Sequence, residues 1–361
     1  EPWWSRQFPK SSTSNRFQKE SKLMNLSPGK LMGMKRLSDE NGIFKMTAVD
    51  QRPPIKKPIA DYLSLPEAPW KEVAKFKRML IENLQSDSSA LLLDPHYAIP
   101  FSMDSFDAKK GLIVTLEDSV FQETKQGRIS SSIDNWSVAK IKRMGADAVK
   151  VLAWYRPDAG KDVLVAQKDY VQKVGEECVK HDILFLFELL VYPLANDEDQ
   201  TKQYREMRNK KTDHVLSSVE EFSKLKYGVD VFKLESPVNA DQVNEGDLNS
   251  FKEMGDLAGR PWVMLSAGAG KSAFKNVLRV AFKAGCSGFL AGRAIWLDAF
   301  SNYPDWEKIN TELRGSSASY LSEISNLANQ FAVPWNKHPC YSSEEGLFPY
   351  KTWEFRRKYE E

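Results

Sequence analysis

Eight short apolar runs, many rich in β-branched residues, punctuate the chain, and stretches with apolar residues at three-to-four spacing separate most of them. The runs are GIFKMTAVDQ (42–51), SALLLDPHY (89–97), GLIVTLED (111–118), ADAVKVLAWY (146–155), ILFLFELLVY (183–192), VDVFKLESP (229–237), PWVMLSAG (261–268) and SGFLAGRAIW (287–296). The spacing predicts helices over 70–85, 133–144, 163–181, 217–226 and 271–284, with Asp134 and Ser218 read as cap residues. A further helix is expected within 304–330. Strands alternating with helices imply a parallel sheet, because a parallel crossover needs a helix-length connection. Strands this uniformly apolar are covered on both faces. Eight such units point to an α/β fold of the TIM-barrel type, a closed, parallel eight-stranded (β/α)8 barrel.

Three charges interrupt the apolar strands: Lys150 in the fourth, Glu188 in the fifth and Lys233 in the sixth. An ionised side chain buried without a partner is costly, so these positions are paired or functional. The pattern G-x-D-x-x-K occurs twice, at 145–150 and 228–233. Alternate strands of a barrel fill a common layer, so the two lysines are expected at similar depth with Glu188 between them. Two ammonium groups facing one pocket disfavour each other's charge, and burial pushes the same way. One of them is then expected to be neutral often enough to attack a carbonyl, with the carboxylate moving protons. The plainer alternative is an ion-pair cluster that merely fixes strand register.

Polar residues gather where strands end, the rim at which barrel active sites form. The first strand ends in Asp50-Gln51-Arg52. The seventh and eighth end in Ser266-Ala267-Gly268-Ala269-Gly270-Lys271 and in Ala291-Gly292-Arg293. Loops after strands 7 and 8 recurrently hold phosphate in this fold, and glycines let backbone N–H groups approach it. Plain connections would also explain these turns. GAGKS fails as a nucleotide-binding P-loop, since its first glycine would fall on Leu265. A zinc-dependent site would need about three well-placed ligands. Of His96, His181, His214 and His338, His96 alone is expected near the pocket.

Composition narrows the function classes. Among 361 residues, 51 basic and 49 acidic side chains nearly cancel, and 42% are hydrophobic. That balance offers no electrostatic case for nucleic acid or a membrane surface. The longest apolar run, 183–192, is about half a bilayer span and carries Glu188. Three scattered cysteines suit neither a disulfide framework nor a zinc site and point to a reduced, cytoplasmic compartment. A homo-oligomer is left open. The organisation expected is an N-terminal extension (1–34), a barrel over 35–332, and a C-terminal extension (333–361). The first 23 residues, polar and without the apolar core of a secretory signal, are read as non-native sequence upstream of a start at Met24 or as disordered, with a targeting segment as the alternative.

Taken in order, KRLSDENGIFKMTAVDQR, SALLLDPHY, GADAVKVLAWY, LFLFELLVY, VDVFKLESPVN, LSAGAG and LAGRAIW resemble the tagatose 1,6-bisphosphate aldolase family of class I aldolases. The resemblance covers roughly residues 35–300. It implies that Lys233 forms a Schiff base with the substrate ketone, without metal or cofactor. It implies that Lys150 and Glu188 assist acid–base steps and that Asp50 and Gln51 contact substrate. It further implies that Ser266, Gly268, Gly292 and Arg293 hold a phosphate. The chain departs from the family pattern at Pro53-Pro54, where a glycine follows D-Q-R, at His96 in Asp94-Pro95-His96-Tyr97, and at Ala269-Gly270-Lys271, which adds a cation near the phosphate loop. The expected reaction is cleavage of a ketose 1,6-bisphosphate to dihydroxyacetone phosphate and glyceraldehyde 3-phosphate. The alternatives are an aldolase for a sulfonated ketose phosphate and a non-catalytic barrel that binds sugar phosphates.

Overall fold

The computed structural model describes residues 25–194, 197, 207, 210–341, 347–349 and 351–359. The polar segment 1–23 lies outside the described residues, as do parts of the C-terminal extension. The strands are β1 (Phe44–Ala48), β2 (Ala90–Leu93), β3 (Gly111–Thr115), β4 (Gln122–Thr124), β5 (Gly127–Ile129), β6 (Ala148–Trp154), β7 (Leu184–Leu190), β8 (Val231–Leu234), β9 (Trp262–Met264) and β10 (Gly288–Ala291). The helices are α1 (Pro28–Leu37), α2 (Pro53–Leu63), α3 (Trp70–Leu84), α4 (Ala98–Ser102), α5 (Val138–Arg143), α6 (Lys161–Lys180), α7 (Thr212–Phe222), α8 (Leu248–Ala258), α9 (Lys271–Lys283), α10 (Arg293–Phe300), α11 (Trp306–Glu312), α12 (Ala318–Phe331) and α13 (Phe355–Lys358).

Eight parallel strands close a barrel in the order β1-β10-β9-β8-β7-β6-β3-β2, while β4 and β5 form a separate antiparallel hairpin. Each of the eight barrel strands lies within one of the apolar runs. Side-chain alternation divides their residues between two cores. Phe44, Met46, Leu92, Ile113, Leu186 and Leu290 belong to an inner cluster, and Leu91, Leu93, Val149, Val151, Phe187 and Phe232 to the layer under the helices. The inner cluster is sealed below by Met34 and Leu37 of α1 and by Trp335 and Tyr341.

The repeated G-x-D-x-x-K pattern has a structural cause at this lower end. Asp147 accepts the N–H of Leu112 at 2.8 Å and pairs with Arg36 of α1 at 2.8 Å. Asp230 does the same with Phe185 N–H at 2.8 Å and with Lys30 of α1 at 2.8 Å. Each aspartate therefore ties a strand start to α1, which runs across the 34/35 boundary drawn from sequence.

Several local expectations need correction. The helix expected from 133 begins at Val138, capped by Ser137 rather than Asp134, because 132–133 extend the pairing of the third strand's end. Ser218 lies inside α7, where its hydroxyl donates to His214 O, instead of capping a helix. The segment 304–330 holds two helices joined by a wide turn, Leu313–Ser317. Among the described residues no helix is long and apolar enough to cross a membrane.

Candidate active site

A cleft of about 570 Å³, including its open mouth, lies at the C-terminal ends of the barrel strands. Asp50, Gln51, Arg52, Glu117, Lys150, Glu188, Lys233, Ser266, Gly292 and Arg293 line it, together with apolar Leu152, Leu190, Leu265 and Leu290. Most sequence-derived candidates thus meet in one place. Two do not. Gly268 is exposed and outside the lining, and His96 is exposed on the rim, where its carbonyl accepts from Trp70.

At the centre the three strand charges converge as expected. Glu188 Oε2 lies 2.8 Å from Lys233 Nζ and 2.9 Å from Lys150 Nζ. Along the ladder Glu188 pairs with Lys233 on one side and with Leu152, two residues beyond Lys150, on the other. Strand tilt offsets that two-residue shift and levels the lysines.

The electrostatics differ from the two-lysine expectation. Lys150 also touches Asp50 Oδ2 at 3.0 Å and Glu117 Oε1 at 2.6 Å, so three carboxylates surround its ammonium group. Burial works against its charge, but the carboxylates of Asp50, Glu117 and Glu188 prevail and hold its pKa well above the ordinary lysine value. Burial likewise opposes the charge of Asp50 and Glu188, yet Lys150 and Lys233 hold both carboxyls below their usual values. Glu117 goes the other way: burial and the Asp50 charge raise it despite Lys150 and Arg52. Lys150 is therefore a fixed cation. Lys233 has a single hydrogen bond among the described residues, to Glu188.

Glu117 was not singled out from sequence, because it sits in a Leu-Glu-Asp exit that resembles an ordinary solvated strand end. It is 2% exposed, and Thr115 Oγ1 donates to its other oxygen at 2.6 Å. Lys77 of α3 was also missed. Fully buried, it pairs with Asp94 and donates to Val49 O at 2.7 Å, pinning the ends of β1 and β2 beside Asp50. A lysine in an amphipathic helix gives no sign of facing inward. Burial lowers its pKa more than Asp94 raises it.

The strand 7 and 8 loops form the opposite wall. Ala267 (φ 45°) and Gly268 (φ 87°) take consecutive left-handed conformations, and Ala269 N–H donates to Ser266 O at 2.7 Å. Gly292 leaves no room for a side chain: a Cβ there would stand 2.7 Å from Gln51 Nε2 and 2.8 Å from Ala48 O. Arg293 opens α10 directly after it. Lys271, expected to add charge here, turns away to pair with Asp298 at 2.9 Å. Asp50 Oδ1 and Gln51 Oε1 are buried without hydrogen-bond partners and face the cleft. Substrate hydroxyls can satisfy such acceptors. Among the described residues no three His, Cys, Asp or Glu side chains are grouped to hold a metal ion.

Comparison with known proteins agrees with this architecture. A model of the "DeoC/LacD family aldolase" matches residues 44–298. The tagatose 1,6-diphosphate aldolase of Listeria monocytogenes serotype 4b (strain CLIP80459) is 31% identical over 328 residues, covering 87% of this chain and 95% of that protein. Tagatose 1,6-diphosphate aldolase 1 of Enterococcus faecalis (strain ATCC 700802 / V583) is 32% identical, covering 83% of this chain and 99% of its own length. Among solved structures, an archaeal fructose 1,6-bisphosphate aldolase superposes with a TM-score of 0.55 at 16% identity over 83% of this chain and 99% of that one. Fructose-bisphosphate aldolase from Plasmodium falciparum gives a TM-score of 0.60 at 11% identity over 87% of this chain and 98% of that one. These structures share the barrel fold. On the family model and the relatives at 31–32% identity, the chain belongs to the DeoC/LacD family of aldolases.

Proposed function

We propose that the protein reversibly cleaves tagatose 1,6-bisphosphate, or a ketose 1,6-bisphosphate close to it, through an imine on Lys233. One observation carries the choice of lysine: among the described residues Lys150 is bound by three carboxylates, whereas Lys233 is held by Glu188 alone. An amine with one carboxylate partner can pass its proton to that partner and attack; an ammonium ringed by three cannot.

Lys233 Nζ adds to the C2 carbonyl, and Glu188, 2.8 Å away, carries protons as the carbinolamine loses water. The iminium then takes the electron pair of the C3–C4 bond as the C4 hydroxyl gives up its proton, releasing glyceraldehyde 3-phosphate. Protonation of the resulting enamine at C3 and hydrolysis of the imine release dihydroxyacetone phosphate. Lys150 keeps Glu188 and Asp50 ionised. Asp50 and Gln51, each with an unpartnered oxygen, orient substrate hydroxyls. Ser266, Gly292 and Arg293 hold the C1 phosphate, where the start of α10 adds a favourable dipole.

The test is borohydride reduction after incubation with dihydroxyacetone phosphate and EDTA, followed by peptide mapping. A stable adduct on Lys233 is expected. A folded protein with no lysine adduct would overturn the mechanism and favour a non-catalytic sugar-phosphate-binding barrel. Cleavage of tagatose, fructose and sulfonated ketose phosphates measured side by side then ranks the substrates.

A further inference from the structure

We infer that Glu117 is the catalytic base that takes the C4-hydroxyl proton as the C3–C4 bond breaks. The inference rests on the aldolase reading, which leaves that proton without an acceptor.

Strand order gives Glu117 its place. Ser266 after β9 and Arg293 after β10 form the phosphate end of the cleft, and Lys233 on β8 takes C2. Continuing round the ring come Glu188 on β7, Lys150 on β6 and Glu117, just beyond β3. The contacts run in the same order: Lys233 to Glu188 at 2.8 Å, Glu188 to Lys150 at 2.9 Å and Lys150 to Glu117 at 2.6 Å. The C4 oxygen is separated from the lysine nitrogen by C2, C3 and C4. With C1 turned to the phosphate end, it extends past Glu188 towards Lys150 and Glu117.

Three carboxylates line the cleft, Asp50, Glu117 and Glu188, and Lys150 binds all of them. They are not equally basic. Burial opposes the charge of Asp50 and Glu188, but Lys150 and Lys233 hold both below their usual values, so each is a weak base. Burial raises Glu117 against Lys150 and Arg52, and the Asp50 charge adds to the rise. Neighbouring carboxyls pushed apart in this way divide the acid and base tasks between them. Glu188 Oε2 faces the imine nitrogen, and Asp50, with its unpartnered oxygen, suits the orientation of a hydroxyl.

Glu117 is also held in position. Thr115 Oγ1 donates to Oε2 at 2.6 Å and Lys150 Nζ to Oε1, which fixes the carboxylate before substrate arrives. Each oxygen retains a lone pair for a substrate hydroxyl. In cleavage the C3–C4 electrons pass to the iminium and give the enamine, C4 becomes the aldehyde carbon, and the hydroxyl proton goes to Glu117. In condensation the same proton returns to the new C4 alkoxide.

The experiment separates the two halves of the reaction in the wild type, Glu117→Gln, Glu117→Asp and Asp50→Asn. Imine formation is read by borohydride trapping of dihydroxyacetone phosphate on Lys233. Enamine formation is read by hydrogen exchange in heavy water at the carbon of dihydroxyacetone phosphate that becomes C3. Neither step involves a C4 hydroxyl, whereas cleavage of a ketose 1,6-bisphosphate does. Glu117→Gln should lower kcat for cleavage by about 10²- to 10⁴-fold while trapping and exchange persist. Glu117→Asp keeps a charge beside Lys150 but draws the base back, so cleavage should again fall more than exchange. This second variant carries the test if Glu117→Gln does not fold. An equal fall in cleavage and exchange would show that Glu117 serves the lysines instead, and would overturn the inference. So would full cleavage by Glu117→Gln, or cleavage lost with exchange intact in Asp50→Asn but not in Glu117→Gln. In each of these cases trapping in the wild type leaves the aldolase reading standing. Absence of trapping in the wild type removes both.

Discussion

Glu188 bridges two ammonium groups through one oxygen, and its 2.8 Å contact with Lys233 makes it the carboxylate nearest the amine and the proton carrier of the proposed mechanism. Glu188→Gln keeps the shape and removes the base. It should lower kcat by about 10²- to 10⁴-fold, and single-turnover borohydride trapping should show slower adduct formation at Lys233. Trapping at the wild-type rate would assign the proton transfers elsewhere. Lys150→Met tests the other half of the cluster. It leaves three buried carboxylates without their shared cation and should destabilise the fold by about 3–5 kcal/mol at pH 7. The sign of its pH dependence follows from the shifts. Asp50 and Glu188, held below their ordinary values by the lysines, contribute stability above about pH 4 that is lost as pH falls through their folded values. Lys150, held above its ordinary value, contributes stability at all lower pH and loses it only in strong alkali. Without Lys150 the carboxyls take up protons more readily. The gap in Tm between wild type and variant should therefore be widest near neutrality and narrow towards pH 4, as read by thermal unfolding across pH. A constant gap would mean that packing, not charge, dominates. Three of these residues were legible in sequence, since charge inside an apolar strand is conspicuous. Glu117 was not, because a charge at a strand exit reads as solvated until the loops around it are known, and Arg52 stood in the polar exit Asp50-Gln51-Arg52 without a role of its own.

At the scale of elements, legibility followed burial. All eight barrel strands are short apolar runs because helices cover their outer faces. The hairpin Gln122–Ile129 has no such pattern: β4 is polar and largely exposed, so its backbone pairing leaves no trace in hydropathy. Helix α1 escaped for a related reason. Its contacts with the barrel floor run through Lys30 and Arg36 as well as Met34 and Leu37, and that mixture reads as an extension. Glycines show how closely the elements meet. Gly288 begins β10 at φ 147°, and a Cβ there would lie 1.9 Å from Phe44 O. Gly288→Ala should cost at least about 3 kcal/mol, through both the backbone conformation and the clash with β1. Gly315, in the wide turn between α11 and α12, is the control: nothing lies within 4 Å of its would-be Cβ. Gly315→Ala should stabilise by about 0.5–1 kcal/mol, as alanine loses less backbone freedom within a helix. Chemical denaturation of both variants checks the pair. A neutral Gly288→Ala would show that β1 and β10 can separate, against the parallel ladder that closes the barrel.

At the scale of the molecule, chemistry and closure occupy opposite ends of one barrel. The upper rim carries the cleft, with its orphaned oxygens and guanidinium nitrogens. The lower end is built from chain outside the eight repeats. Asp182, at φ 46°, accepts from Ser27 and Tyr359 and from the Gly29 amide at 2.7 Å, joining α1 to the C-terminal region. Trp335 sits at the centre of this floor. It is 3% exposed, packs with the inner cluster, and donates from Nε1 to Ser38 Oγ at 3.0 Å and from its amide to Gly42 O at 3.0 Å. Trp335→Ala would open a cavity beneath the barrel and leave Ser38 without that donor, at about 3–5 kcal/mol. Because Met34, Leu37, Trp335 and Tyr341 of the floor are not among the residues that line the cleft, the loss should appear in Tm and in the denaturation midpoint, with kcat/KM unchanged at temperatures where the variant remains folded. Cleavage rate and unfolding measured on one sample decide the matter. A fall in kcat/KM without unfolding would mean that the floor sets the position of the strand charges at the rim, and that the two ends act as one mechanical unit.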